Sequence, residues 1–374
     1  MTLFLSHTTA AECWRSGRFD AALAGPSIAK RHRPAGALDV ERVASMLAMD
    51  RLGVVYGEAL AFGSAEARGC ERFKPRACEI RALREERLAF ASDPLHAIVP
   101  DKRSANALKH LACHVNANAL PSGSFVRVDD GLLLCSPELC FLHMATRLPF
   151  PHLVKLGFEL CALYTLQPDG TASYGRPLPP TTARAIDAYL RTCTGMRGVA
   201  TARQALRYVG NASGSPMETA LAIVLCLPLR LGGYGLPLPY LNFRIDAPRH
   251  ERAADGKSYY LCDLYWPQAK IAVEYDSDLE HTGPERIAED AQRRNEVTGL
   301  GITTITATRE QVMNPGKLDR IARQLRRALH VRARSEREPN PGVRERLLRS
   351  LVTAKDLEAS WSKPRKLAAS AEGR

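Results

Sequence analysis

The sequence is conspicuous for what is missing from its 374 residues. No apolar run approaches the roughly 20 residues that span a bilayer. The best candidate, Ala220 to Leu229, is about half that length and is interrupted by Pro228, which favours a buried helix. The opening MTLFLSHTTAAECWRSGR has no basic stretch ahead of its short apolar segment, so no secretory signal is expected and a cytoplasmic location is. Ten cysteines are present, yet none forms a C-x-x-C pair and no second cluster lies at zinc-finger distance. HLACHV, with His110, Cys113 and His114, is the one ligand-like grouping; without a partner cluster, reduced and mostly buried thiols account for the cysteines better. There is no phosphate loop, nucleophile triad, internal repeat or low-complexity tract.

What is present is an ordinary globular composition, 45% hydrophobic and 25% charged, carrying a formal charge of +12. The charge is uneven. From Lys317 to Arg374 there are 16 Lys/Arg against 7 Asp/Glu, a net +9. A basic end of this kind favours a polyanionic partner, of which nucleic acid is the commonest; a solvated helix with a frayed tail is the plainer account. Periodicity places helices over much of residues 1–92. Short strands follow in PLHAIVP, LACHV and SFVRVDDGLLLCS, and helices in SPELCFLHMATRL, HLVKLGFELCALYTL, ARAIDAYLRTCTG and RQALRYVGNASG. Ser136 and Ser215 each precede a proline, as an N-cap precedes the first helical position. Ser215 with Glu218 fits a capping box, which explains Glu218 without any catalytic role.

From Ser215 the expected order is helix, three strands, helix, strand. Two of the strands, LCDLYW and IAVEYD, carry acids where acids are disfavoured. Alternation assigns Cys262, Leu264 and Trp266 to one face and Asp263 with Tyr265 to the other. In the second strand Ile271, Val273 and Tyr275 lie opposite Glu274 and Asp276. Joining the strands through PQAK with Trp266 opposite Ile271 puts Asp263 across from Glu274, with Asp276 one diagonal away. Two carboxylates about 5 Å apart repel unless a hard cation lies between them, and Mg²⁺ held by carboxylates, water and phosphate oxygens answers that description. Tyr265 and Tyr275 read as packing residues.

This run resembles the PD-(D/E)XK nuclease core, and more closely the very-short-patch-repair (Vsr)-like endonuclease domains found C-terminally in bacterial proteins related to abortive-infection antitoxins. The counterparts are Asp263, EYDS from Glu274, His281, and DAQR from Asp290 to Arg293, with SPMETAL resembling the leading helix. The resemblance spans residues 215–311. It implies an α/β (α+β) chain in which a restriction-endonuclease-like core (201–330) follows a helical region (1–92) and a mixed recognition or regulatory region (93–200), and precedes a basic tail (331–374). It further implies a DNA endonuclease that uses Mg²⁺ or Mn²⁺ held by Asp263, Glu274 and Asp276, with Glu218 and His281 as further catalytic candidates. Lys270, Arg293, Arg294 and Arg309 are the residues expected to meet DNA. Helix-stabilising pairs Glu289–Arg293 and Asp290–Arg294 account for part of that set on local grounds.

The sequence departs from the pattern in two places. Asp276 stands where the motif has Lys, and Ser277 where the subfamily has Gly. The missing Lys motivates an alternative, a non-catalytic DNA-binding regulator or antitoxin-like protein that keeps the fold. A protein-interaction partner in a defence or toxin–antitoxin system is the third reading.

Overall fold

The structure, a computed structural model, describes residues 2–23, 37–54, 70–246, 259–276, 292, 295–331 and 341–352. His281, Glu289, Asp290, Arg293, Arg294 and the last 22 residues of the basic tail lie outside them.

The first half is built on a mixed five-stranded sheet with strand order β3-β2-β1-β5-β4. Its strands are β1 (Leu3–Leu5), β2 (Leu95–Val99), β3 (Leu111–Val115), β4 (Phe125–Asp129) and β5 (Leu132–Cys135). The region before residue 92 is therefore not purely helical. Leu3–Leu5 is the central strand, antiparallel to β2 and parallel to β5, and three residues are too few for a periodic signal. The helices here are α1 (His7–Ser16), α2 (Asp20–Leu23), α3 (Ala37–Leu52), α4 (Ala77–Glu86), α5 (Pro137–Met144) and α6 (Phe150–Leu160). Ser136 caps α5 as expected, its hydroxyl accepting from Leu139 N at 3.2 Å.

A small hairpin, β6 (Tyr164–Leu166) with β7 (Ala172–Tyr174), lies where the sequence reads as helix tail and connector. Two helices follow, α7 (Ala183–Thr192) and α8 (Val199–Leu206), and then α9 (Pro216–Cys226). The second sheet has order β11-β10-β9-β8, from β8 (Tyr240–Asp246), β9 (Tyr259–Trp266), β10 (Ile271–Asp276) and β11 (Thr303–Thr308). β8, β9 and β10 are antiparallel neighbours, and β11 runs parallel to β10. Residues 295–299, ahead of β11, are helical. The chain continues through α10 (Arg309–Met313), α11 (Pro315–Ala328) and α12 (Pro341–Val352). The fold is α/β, with mixed sheets and helices throughout. No helix of the described residues is long and apolar enough to cross a membrane.

One hydrophobic cluster runs from Leu3 to Leu351 and draws on every region delimited above. Its spine is α9, buried from Glu218 to Cys226 and packed on α6 and α12. Gly233 makes this packing possible. A Cβ there would stand 2.0 Å from the Leu227 carbonyl oxygen, a backbone atom fixed by the end of α9. Gly233→Ala is expected to cost about 3 kcal/mol or more, read as a lowered urea midpoint; an unchanged midpoint contradicts this account of the α9 turn.

Four histidines form a column in the first half of the chain. His143 stacks on His7 at 4.4 Å, His7 on His114 at 3.8 Å, and His114 on His96 at 5.1 Å. Burial is the leading cause that pushes all four imidazoles below their ordinary range, to about 4 for His96 and His143 and about 3 for His114. In the unfolded chain they take protons near 6.5, so the unfolded state binds more protons below that pH. Each histidine should therefore remove up to about 1.4 kcal/mol of stability per pH unit between ~6.5 and its folded value. A melting temperature that drops steeply from pH 7 to pH 5 is expected; a flat profile contradicts the buried, neutral column.

Candidate active site

The second sheet brings acids to α9 by breaking its own alternation. Trp266 pairs with Ile271, Tyr265 with Ala272 and Leu264 with Val273, in the register expected from the sequence. The faces differ from expectation. Leu264 and Trp266 pack into the main core, whereas Cys262 joins Tyr260, Tyr265 and Ala272 in a separate cluster on the other side of the sheet. On β8, Leu241 belongs to the main core and Phe243 packs against the second cluster. Both strands change sides at one step, and Asn242 there is held in a left-handed conformation, φ 45°. A non-glycine residue in that region is strained and persists only where surrounding contacts fix it. Its side chain supplies them: Asn242 Nδ2 donates to Ala212 O and to Glu218 Oε2, both at 2.9 Å.

Beyond Val273 the β9–β10 ladder ends. Asp263 does not continue it with a regular cross-strand pair; its Oδ2 accepts the Tyr275 N–H at 2.8 Å. β10 stays paired to β11 through Asp276 and Thr308. The two strands part at the acids, and Asp263 occupies the fork. By alternation from Ala272, which packs in the second cluster, Glu274 and Asp276 share that side of β10. Both are half-buried, and neither lines the cavity described below.

Glu218 is the acid that meets Asp263. Ser215 Oγ caps α9 by accepting from Glu218 N at 3.1 Å, as the sequence predicts. The reciprocal half of the box differs, because the Glu218 carboxylate accepts from Gly214 N at 2.9 Å rather than from the Ser215 backbone. Glu218 is 8% exposed and its hydrogen bonds come from neutral donors. No ion pair joins it to a Lys, Arg or His among the described residues. Burial first, and the Asp263 charge second, push its carboxyl up to about 7. Two carboxylates in one half-buried place, with neutral donors around one of them, form a site that a cation relieves.

They line a cavity of about 730 Å³ whose walls also carry Arg15, Lys155, Tyr174, Tyr275 and Arg309. Of the basic residues expected from the sequence, Arg309 is here. Lys270 is not. It forms the left-handed residue of the β9–β10 turn, φ 47°, at the opposite end of β10 from the fork. At 3.3 Å per residue it is roughly 16 Å from Tyr275 along the strand. Tyr265 is a packing residue, as expected, stacked on Phe243 at 5.2 Å.

Arg15, Lys155 and Tyr174 come from the first half of the chain and were not expected at this site. Arg15 pairs with Glu159 at 2.8 Å. Lys155 Nζ donates to Leu351 O at 2.6 Å, and burial lowers its ammonium to about 8 against the opposing pull of Glu159. A signal was available in HLVKLGFEL, where Lys155 and Glu159 sit four apart in an apolar helix.

Among the described residues no group of three or more His, Cys, Asp or Glu side chains is gathered as a metal-holding set. The acids provide the pair Glu218 and Asp263, not the trio of Asp263, Glu274 and Asp276. The HLACHV grouping is likewise not assembled: His110 is half-exposed and its Nδ1 is 3.0 Å from Asp93.

No family model and no solved structure matches the chain. Two uncharacterized proteins of Mycobacterium tuberculosis, one from each of two strains, are 32% identical to it over 136 residues. The match takes in 36% of this chain and 45% of each relative, so the chain spans under half the length of the proteins it resembles.

Proposed function

We propose that the protein is a divalent-metal-dependent endonuclease that hydrolyses phosphodiester bonds in DNA. The observation that carries this reading is the meeting of Glu218 and Asp263 at the fork of β9 and β10, in a cavity also walled by Arg15, Lys155 and Arg309. The donor set suits Mg²⁺ or Mn²⁺: hard carboxylate oxygens, one of them buried among neutral donors. Asp263 and Glu218 would hold the ion; Glu274 and Asp276, the further acids of the resemblance, do not line this cavity. When bound, such an ion activates water and offsets charge on the phosphate in the transition state.

The chain's own residues do the rest. Asn242 and Gly214 fix the Glu218 carboxylate in one orientation, and the Tyr275 N–H fixes Asp263. Arg309 and Arg15 supply guanidinium donors to phosphate oxygens. Lys155, with its ammonium lowered to about 8, can give or take a proton near neutral pH. It is the cavity's lysine where the motif's own lysine is replaced by Asp276.

A cytoplasmic role in DNA repair or phage defence suits this chemistry. The test is supercoiled plasmid incubated with the purified full chain and Mg²⁺ or Mn²⁺. Nicking that chelation abolishes is expected. Salt-sensitive DNA binding with no cutting, at any concentration of either ion, favours the regulator; that second reading draws on the absence of a third acid in the Glu218–Asp263 group among the described residues.

A further inference from the structure

The histidine column borders a second cavity, of about 710 Å³, that the proposed nuclease site does not use. It lies beside β3, the edge strand of the five-stranded sheet, at the point where β1 ends and α1 begins. His7, His114 and His143 form one wall, and Arg147 and Arg197 stand in the others. No Asp or Glu among the described residues lines it.

The arginines are the unusual feature. Neither side chain makes a hydrogen bond or ion pair among the described residues. Arg147 is half-buried, and its Nε is shut away from water without an acceptor; the same is true of Nδ1 of His143, one turn earlier on α5. Buried donors left unsatisfied are costly, and a guanidinium more so than an amide. His7 adds strain. It is the first residue of α1 and has φ 49°, a left-handed conformation that histidine adopts only under constraint. Its ring is fixed between two other imidazoles, and Ser6 Oγ lies 2.9 Å from its Nδ1. The positive end of a ten-residue helix thus begins in the cavity wall.

Unpaired arginines, a helix N-terminus and no facing acid describe a place for an anion. A metal ion fits poorly: the imidazoles are stacked face to face, no metal-holding trio exists among the described residues, and two guanidinium groups stand nearby. The volume falls within the range of small-molecule sites. We propose that this cavity binds a phosphate monoester up to the size of a mononucleotide, with Arg147 and Arg197 gripping the phosphate and the imidazoles of His114 and His143 beside it.

The groups that respond to such an anion are His7 on α1, His96 on β2, His114 and Cys113 on β3, His143 on α5, Arg147 in the turn after α5, and Arg197 in the loop between α7 and α8. Since all the charged ones are cationic, they hold the dianion of a phosphate monoester more tightly than its monoanion. The imidazoles stay neutral at both pH values, whereas the phosphate gains a proton near its second ionisation at about pH 6, so binding should weaken as pH falls from 8.0 to 6.5.

The experiment is calorimetric titration of the full chain with inorganic phosphate and with AMP at both pH values, beside Arg147→Met and Arg197→Met. Saturable binding of AMP is expected, competed by phosphate, tighter at pH 8.0, and at least tenfold weaker in each variant. Phosphate binding with no gain from the adenosine moiety supports the same arginine site, narrowed to free phosphate. Removal of an unpaired side chain should leave the melting temperature near the wild-type value; Arg197 is exposed and serves as the safe variant should Arg147→Met misfold. No saturable binding of either probe, binding indifferent to both substitutions, or preferential uptake of Zn²⁺ overturns the proposal.

Discussion

Asp263→Ala is expected to lower metal-dependent plasmid nicking by at least about 100-fold, since the ion's contribution to the transition state is several kcal/mol and each 1.4 kcal/mol is tenfold in rate. Asp263 has two jobs in the fork: its charge, and the hydrogen bond it accepts from Tyr275 N at 2.8 Å. Alanine removes both. Asp263→Asn keeps an acceptor oxygen for Tyr275 and removes only the charge, so the two variants separate structure from chemistry. Both are expected to fold, because Asp263 is half-buried at the edge of the core rather than within it, and both are expected to be inactive. An active Asp263→Asn would show that the fork is an architectural device and that no cation is held there. Glu274→Ala belongs in the same assay. Loss of nicking in that variant too draws Glu274 into the site with Asp263, whereas retention confines the chemistry to Asp263 and Glu218.

The second large effect concerns stability. Burial and the Asp263 charge lift the Glu218 carboxyl from 4.5 to about 7. The folded chain therefore holds a proton there that the unfolded chain has already released, and stability is lost as pH rises from ~4.5 through ~7. At about 1.4 kcal/mol per unit, the cost above pH 7 is on the order of 3 kcal/mol. Glu218→Gln keeps an oxygen for Gly214 N and Asn242 Nδ2 and carries no charge. At pH 8 it should be more stable than the wild-type protein by roughly that 3 kcal/mol, and the two should converge near pH 4.5. Urea unfolding at both pH values reads the difference. Equal stability at pH 8 would mean that the carboxylate is already compensated. Since the same substitution removes a proposed metal ligand, a variant that is more stable and less active is the expected pairing of a site kept at a cost to the fold.

The sequence was informative where chemistry is local. The caps at Ser136 and Ser215, the short strands after residue 94 and the Trp266–Ile271 register follow from residue type and spacing, and the structure contains all of them. The departures come from tertiary context. Nothing in LCDLYW marks the change of face that breaks its alternation. The change coincides with Asn242, on another strand and in a conformation that no local signal requires. The capping box at Glu218 was half right, and the half that failed is informative: the carboxylate turns to Gly214 and Asn242 and so reaches Asp263. Arg15 and Lys155 lie beyond local sequence signals, because 63 residues or more separate each of them from Glu218 and Asp263. The histidine column illustrates the same limit. His7, His96, His114 and His143 have no spacing in common, and only the five-stranded sheet and α5 bring them together.

Titration of the full chain with Mn²⁺, followed by the electron paramagnetic resonance of the free ion, addresses the cation directly and needs no knowledge of the DNA target. Wild-type protein should take up Mn²⁺ saturably, more tightly above pH 7 where Glu218 is ionised, and Asp263→Asn should lose at least tenfold in affinity. Uptake that is absent, or equal in the two proteins, would contradict the assignment of the β9–β10 fork as a metal site.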